Sequence, residues 1–302
     1  MIDEFNWSQE ERAAMAVELR AGSLVPTQLT PEMKADLELV TVEELAVPTR
    51  VGDARVLKLV PKAAAEGLRP LVINVHGGGF VRGYQERDTV FCAHLSSQLG
   101  AVVLDVDYRL APEHPFPTAL HECHDIAVWT FDQAAVLGVD PARIAMGGHS
   151  AGGNLTAATC LMARRSGAFR FCAQFMSYPF LDGVTPVEDK LEPHSIFPAS
   201  RLRAFNALYA ADPTRLSDPL LSPVLADPAD LDGQPPAFIL TAGLDPLRFE
   251  AQRYAGRLIL AGVDVTVHQY HDCDHGFLIA GHARHLKARQ ALVGWLRTAL
   301  AP

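Results

Sequence analysis

From residue 70 onward the apolar positions gather into short unbroken runs, separated by longer stretches in which they recur every three or four residues. The runs PLVINV (70–75), AVVLDV (101–106), RIAMGG (143–148), FCAQFMSY (171–178), AFILTAG (237–243) and DVTVHQY (264–270) are predicted as strands. Most lack the polar alternation of a half-exposed strand, which fits strands covered by helices on both faces. The periodic stretches predict helices over 118–137, 151–166, 246–261 and 284–300. This β-then-α rhythm implies a mostly parallel, doubly wound sheet with right-handed crossovers. Two further β-type runs, 38–48 and 54–61, predict an antiparallel hairpin at one edge, making about eight strands in all.

Two regions break the rhythm. Residues 1–36 are helical in pattern, above all SQEERAAMAVELR, and residues 183–220 are rich in Pro and Asp with one helical piece, ASRLRAFNALYA. Neither extends the sheet. Both are read as a cap over its C-terminal edge, where ligands bind in open α/β folds. The chain, 1–302, is therefore expected to be one domain with a cap, a reading its length allows.

Charge narrows the partners. Lys and Arg number 26 against 35 for Asp and Glu, a net charge of −9, and no basic run tracks a phosphate backbone. Nucleic acid and a stable membrane association are not expected. The start, Met-Ile-Asp-Glu-Phe, is acidic where a secretory signal needs positive charge, and no apolar run reaches the roughly 18 residues of a membrane span. A cytoplasmic location is the expectation. Five scattered cysteines without a C-x-x-C pair fit a reducing compartment. Cys92, Cys123, Cys160 and Cys172 are read as small core residues and Cys273 as one among polar groups.

The chemistry concentrates in a few stretches. Gly148-His149-Ser150-Ala151-Gly152 follows a predicted strand and opens a predicted helix. That context makes a G-x-S-x-G pattern a nucleophile elbow, whose serine is lifted above the sheet on a strained turn that only small neighbours tolerate. The alternative is a glycine-rich phosphate cradle, but the G-x-G-x-x-G spacing and the P-loop lysine are both missing.

Attack by Ser150 on a carbonyl creates an oxyanion, which needs backbone donors. One is the amide of Ala151. The others are expected in His76-Gly77-Gly78-Gly79-Phe80, where glycines leave N–H groups unobstructed.

A serine hydroxyl also needs a histidine base oriented by a carboxylate, in the chain order Ser, acid, His. Asp245 follows AFILTAG and His275 follows DVTVHQY, as that order requires. Asp182 competes for the acid and His271 for the base; Asp272 and Asp274 are read as solvated loop carboxylates. The cluster 271–275 and the HECHD run at 121–125 invite a metal reading. The former spans a strand and a loop and the latter is expected on a helix surface, so no metal is expected at either.

On HGGGF (76–80), DYRLAPEHPFPTAL (107–120), GHSAGGNL (148–155), LDPLR (244–248) and DHGF (274–277), the sequence resembles the hormone-sensitive-lipase family of α/β-hydrolases. The resemblance implies an α/β-hydrolase fold and a serine carboxylesterase acting on short- to medium-chain acyl esters, with no cofactor. Amidase or small-molecule deacylase activity through the same residues is the alternative. It implies Ser150, Asp245 and His275 as catalytic residues and Gly78, Gly79 and Ala151 as oxyanion donors, with His76, Gly77, Gly148 and Gly152 supporting the motifs. By the same resemblance Asp107, Arg109 and Glu113 brace the glycine loop and elbow, and a homodimer can form through the last strand edge. A receptor-like, non-catalytic member would be expected to lack His275. The sequence departs from the family at His149, where Asp or Thr is usual, and at Phe249, which replaces an acidic residue although Glu250 follows. The Asn154 sequon is disregarded, as it falls in a helix predicted to be buried.

Overall fold

The computed structural model describes residues 4–22, 27–190, 192–282 and 284–302. The strands are β1 (Val40–Val47), β2 (Ala54–Pro61), β3 (Arg69–Val75), β4 (Val102–Asp107), β5 (Val139–His149), β6 (Ala173–Ser177), β7 (Ala237–Ala242) and β8 (Val265–Tyr270). They form one eight-stranded sheet in the order β1-β2-β4-β3-β5-β6-β7-β8. The first two pair antiparallel with each other, and β2 runs antiparallel to β4. Strands β3 to β8 are parallel.

β3 is buried from Pro70 to Val75 and β7 along its whole length, which explains runs without alternation. Each fully buried Leu, Ile, Val or Phe there contributes about 1.5–3 kcal/mol. Registers then set the site. Val75 lies opposite Gly148 and His149 opposite Ser177, so the loops leaving β3, β5 and β6 emerge side by side at the C-terminal edge.

Three elements differ from the sequence reading. β5 begins at Val139, with a register irregularity between Arg69 and Leu71 on its neighbour. The helix expected over 118–137 divides into Thr118–Asp132 and Ala134–Leu137 at Gln133. A helix that the pattern did not reveal, Glu86–Leu99, packs beside β4. Its amphipathic signal is weak because Arg87 and Asp88 are buried alongside Val90 and Phe91. Its start is nevertheless marked by a reciprocal capping box between Gln85 and Asp88.

The two non-sheet regions meet. Arg12 Nη1 donates to the Ala207 carbonyl at 2.8 Å, and Arg201 Nη2 donates to the carbonyls of Leu19 at 3.1 Å and Gly22 at 2.8 Å. These bonds join the helix Gln9–Ala21 to the helix Ala199–Ala210. Residues 31–39 lie instead against the helix Glu86–Leu99, with Asp36 accepting from Ser97 at 2.5 Å and paired with His94 at 2.8 Å. Of the two stretches 1–36 and 183–220, residues 1–3, 23–26 and 191 fall outside the described residues.

Several local expectations are corrected. HECHD does not lie on a helix surface: Glu122, Cys123 and His124 are buried. Glu122 accepts the Arg109 amide at 2.6 Å and also pairs with the Arg109 guanidinium. Arg109 thereby holds the loop after β4 to this helix and does not reach the elbow. Glu113 pairs with Arg20 at 2.6 Å, on the helix Gln9–Ala21. Of the expected braces only Asp107 faces the glycine loop, 3.8 Å from His76 Nε2. The stacking partner of His76 is Tyr108, with ring centroids 4.2 Å apart. Cys172, expected in the core, is partly exposed, whereas Cys273 is buried with its thiol 4.0 Å from Asp272 Oδ1.

Candidate active site

Ser150 sits between β5 and the helix Ala151–Ser166 with φ 57 and ψ −118. This is sparsely populated for a non-glycine residue and stores about 1–3 kcal/mol of strain. Neighbouring hydrogen bonds hold it: the Ser150 amide donates to the Ser177 carbonyl at 2.9 Å, and the Ser150 carbonyl accepts from Phe180 at 3.2 Å. The flanking glycines are demanded by β3. A Cβ on Gly148 would lie 2.5 Å from the Val75 carbonyl oxygen, and one on Gly152 would lie 2.0 Å from the same atom. Asn154, one turn on, is buried and donates to the carbonyls of Phe180 at 2.9 Å and Leu221 at 2.7 Å.

Three sequence-predicted residues form one hydrogen-bonded chain. Ser150 Oγ lies 2.9 Å from His275 Nε2, and His275 Nδ1 lies 2.8 Å from Asp245 Oδ2. Asp245 is fully buried, and its other oxygen accepts the Leu247 amide at 2.9 Å. Both carboxylate oxygens are thus satisfied, fixing the plane in which the imidazole is held. Tyr178 and Phe197 present rings to His275 with centroids at 5.0 Å and 4.9 Å.

The competitors lie elsewhere. Asp182 accepts from the amides of Val184 and Thr185 and pairs with Arg253 at 2.8 Å. His271 is exposed, and its backbone packs on Gly243. Asp272, paired with Arg284 at 2.8 Å, is half-exposed. Asp274 is not a free loop carboxylate. It accepts the His275 amide at 2.6 Å, the Ile196 amide at 2.7 Å and the Ser195 hydroxyl at 3.0 Å. Within the 271–275 cluster Asp274 meets only the backbone of His275 and Asp272 lies 4.0 Å from the Cys273 thiol, while the His275 ring turns to Asp245 and Ser150.

Gly78 and Gly79 adopt φ 126 and φ 60 and line the cleft with Ser150. A Cβ on Gly79 would strike the ring of Phe205 at 2.4 Å, so this loop and the helix Ala199–Ala210 need glycine to meet. The cleft at Ser150 encloses about 60 Å³, bounded also by Arg82, Arg87, Arg201 and Tyr178. A smaller void of about 20 Å³, lined by Phe80, Ala151, Phe180, Phe197 and Leu247, also borders Ser150.

His149 is fully buried beneath the cleft, with Nε2 3.3 Å from Asp88 Oδ1 and the edge of its ring on Phe91. Burial pushes its pKa down more than Asp88 raises it. Burial pushes Asp88 up, but the His149 hydrogen bond leads the opposing effects that hold it below the ordinary carboxylate range. The pair is therefore a neutral imidazole donating to a carboxylate. Phe249, the other departure, is exposed and packs against its neighbour Arg248 at 4.3 Å, while Glu250 is buried.

Sequence reasoning read Asp274 as a solvated carboxylate and did not single out Arg82, Arg87 or Arg201. A capping-box reading of Gln85 and Asp88 could have marked the helix that carries Arg87. Nothing local signals that Arg201, more than a hundred residues later, joins it.

A sequence model described as alpha/beta hydrolase fold matches residues 72–279. The chain is 37% identical over 211 residues to an arylesterase of Saccharolobus solfataricus, covering 69% of this chain and 68% of that protein. It is 36% identical over 259 residues to the carboxylesterase NlhH of Mycobacterium tuberculosis, covering 84% and 78%. Among solved structures it resembles EstE1, a thermophilic carboxylesterase cloned from a metagenomic library, with a TM-score of 0.82, 32% identity and coverage of 96% and 98%.

Proposed function

The chain belongs to the alpha/beta-hydrolase fold family, in its hormone-sensitive-lipase-like branch, and on that premise we propose that it is a serine carboxylesterase acting through Ser150, His275 and Asp245. The observation that carries this reading is the unbroken relay of 2.9 Å and 2.8 Å from the strained serine to a buried carboxylate. Ser150 Oγ attacks the ester carbonyl carbon while His275 Nε2 takes the hydroxyl proton. Asp245 holds the imidazole in its productive tautomer and stabilises the cation that forms.

The negative charge moves to the carbonyl oxygen. The amides of Gly78, Gly79 and Ala151 receive it, with Ala151 opening a helix whose N-terminal dipole adds to the effect. As the tetrahedral species collapses, the C–O bond to the alcohol breaks and His275 gives its proton to the departing alkoxide. Water, deprotonated by the same imidazole, then cleaves the acyl-enzyme and releases the acid.

The helices Gln9–Ala21 and Ala199–Ala210 serve as the cap, and the narrow voids beside Ser150 favour short acyl chains. The outer edge of β8, where Val267 is exposed, is the face on which a second copy would pair; size measurement in solution tests it. No described helix is long and apolar enough to cross a membrane, and we place the protein in the cytoplasm, a location that fractionation checks.

The test is hydrolysis of p-nitrophenyl esters from acetate to decanoate. Ser150→Ala should lower kcat by at least ~10³-fold with the circular dichroism spectrum retained. Activity of the unsubstituted protein should fall sharply beyond hexanoate. Substantial turnover by the alanine variant would falsify the assignment of Ser150.

A further inference from the structure

Three guanidinium groups converge on the cleft beside Ser150, from Arg82, Arg87 and Arg201, and no Asp or Glu lines it among the described residues. Arg87 is nine-tenths buried, and among the described residues its Nε has no hydrogen-bond partner; the same holds there for the buried Nε atoms of Arg82 and Arg201. Of the carboxylates whose charge reaches these groups, Asp88 is occupied by His149 and the Gln85 amide, and Glu18 acts on Arg201 from outside the cleft lining. Arg201 uses Nη2 on the carbonyls of Leu19 and Gly22, and Arg87 uses Nη1 on Thr27 at 3.4 Å. Burial, followed by the charges of Arg87 and Arg201, pushes Arg82 down to about 10.

Buried donors left unpaired are unfavourable, and like charges gathered in a cleft make it more so. Such an arrangement is stable when an anion completes it. A hydrocarbon acyl chain would leave all three Nε donors unsatisfied.

Resting on the esterase reading above, we propose that the substrates are esters that carry a second, anionic group, such as a free carboxylate, seated among Arg82, Arg87 and Arg201 while the ester carbonyl meets Ser150. The charge belongs to either the acyl or the alcohol half, since both halves of an ester flank the attacked carbon.

Matched substrates distinguish these. The mono-p-nitrophenyl ester of succinic acid carries the charge on the acyl half, and p-nitrophenyl butyrate is its neutral counterpart; 4-acetoxybenzoate carries it on the alcohol half against phenyl acetate. For one of the two pairs, kcat/KM of the anionic member should exceed the neutral one by at least about tenfold at low salt. That advantage should shrink as salt is added. Arg87→Met and Arg82→Met should each bring the ratio toward one, with Arg87→Lys between.

Calorimetry on Ser150→Ala supplies a readout that does not need turnover: monomethyl succinate or 4-acetoxybenzoate should bind more tightly than its neutral counterpart, and Arg87→Met in that background should remove the difference. Neutral esters preferred in both pairs, or a preference that survives both arginine substitutions, overturns the proposal. Hydrolysis that persists without Ser150 overturns the esterase reading instead, and the calorimetric arm still decides the arginine site.

Discussion

Lys190 and Glu250 form an ion pair behind the apolar side of the site, 2.7 Å apart with side chains 7% and 3% exposed. The other oxygen of Glu250 accepts the Leu181 amide at 2.6 Å, and Lys190 Nζ also donates to the Asp182 carbonyl and lies 5.4 Å over the Phe180 ring. Burial pushes Glu250 up to about 7 from an ordinary 4.5, although the Lys190 charge opposes the rise. Between those values the folded protein keeps a proton that the unfolded chain has released, so stability falls as pH rises through that window.

Lys190→Met removes the charge that limits the rise. Below about pH 7 the carboxyl is protonated with or without Lys190, and the loss is confined to the contacts of Nζ, about 1–2 kcal/mol. Above it the unsubstituted protein ionises Glu250 while the variant does not, and the deficit grows by about 1.4 kcal/mol per pH unit. It approaches the ~3–5 kcal/mol expected when one member of a buried pair is removed. Urea midpoints at unchanged slope, taken between about pH 6 and about pH 9, measure this. Adding Glu250→Gln should flatten the trend. A deficit that is constant across the range, or that grows toward acid, refutes the reasoning.

Three further outcomes are expected. Asp274→Ala deletes three hydrogen bonds of 2.6, 2.7 and 3.0 Å; at about 1 kcal/mol each, the melting temperature should drop and kcat should fall ~10-fold with KM little changed. An unchanged kcat would remove Asp274 from the positioning of His275. Gly152→Ala forces a Cβ to 2.0 Å from a backbone oxygen that cannot rotate away, so a loss above about 4 kcal/mol, read as insoluble or unfolded protein, is expected. His149 is held below its ordinary value of 6.5. The unfolded chain therefore binds a proton there first, and stability declines as pH falls below that value. His149→Phe should reduce the acid-side slope of stability against pH; an unaltered slope would show that the imidazole is not the group responsible.

The sheet was legible because buried parallel strands write themselves as continuous apolar runs, as AFILTAG does for β7. The relay was legible because its members follow β5, β7 and β8 in a fixed order, although β8 is only partly buried. Glu86–Leu99 escaped for the opposite reason: polar Asp88 and Arg87 are buried on the same helix as Phe91, so no polar face opposes an apolar one. HECHD was misplaced because a local run does not reveal that Arg109 supplies the charge that lets Glu122 go inside. Asp274 and the three arginines acquire their meaning from partners far away in the chain, which no spacing rule records. His149, which the family motif did not account for, is explained by Asp88, itself on the helix the pattern missed.

The carboxylate of Asp274 grips the segment at Ser195–Ile196 and the backbone of His275 together. It acts as an interlock. If the covering segment lifts away to admit a ligand, the same movement releases the loop that aims the imidazole at Ser150. The Asp245 bond still holds the ring, so such a displacement blunts the aim of the imidazole without abolishing it. Phe197, next in the chain after the gripped segment, carries its ring to 4.9 Å from His275, so the same carboxylate sets both the backbone of the base and the wall beside it.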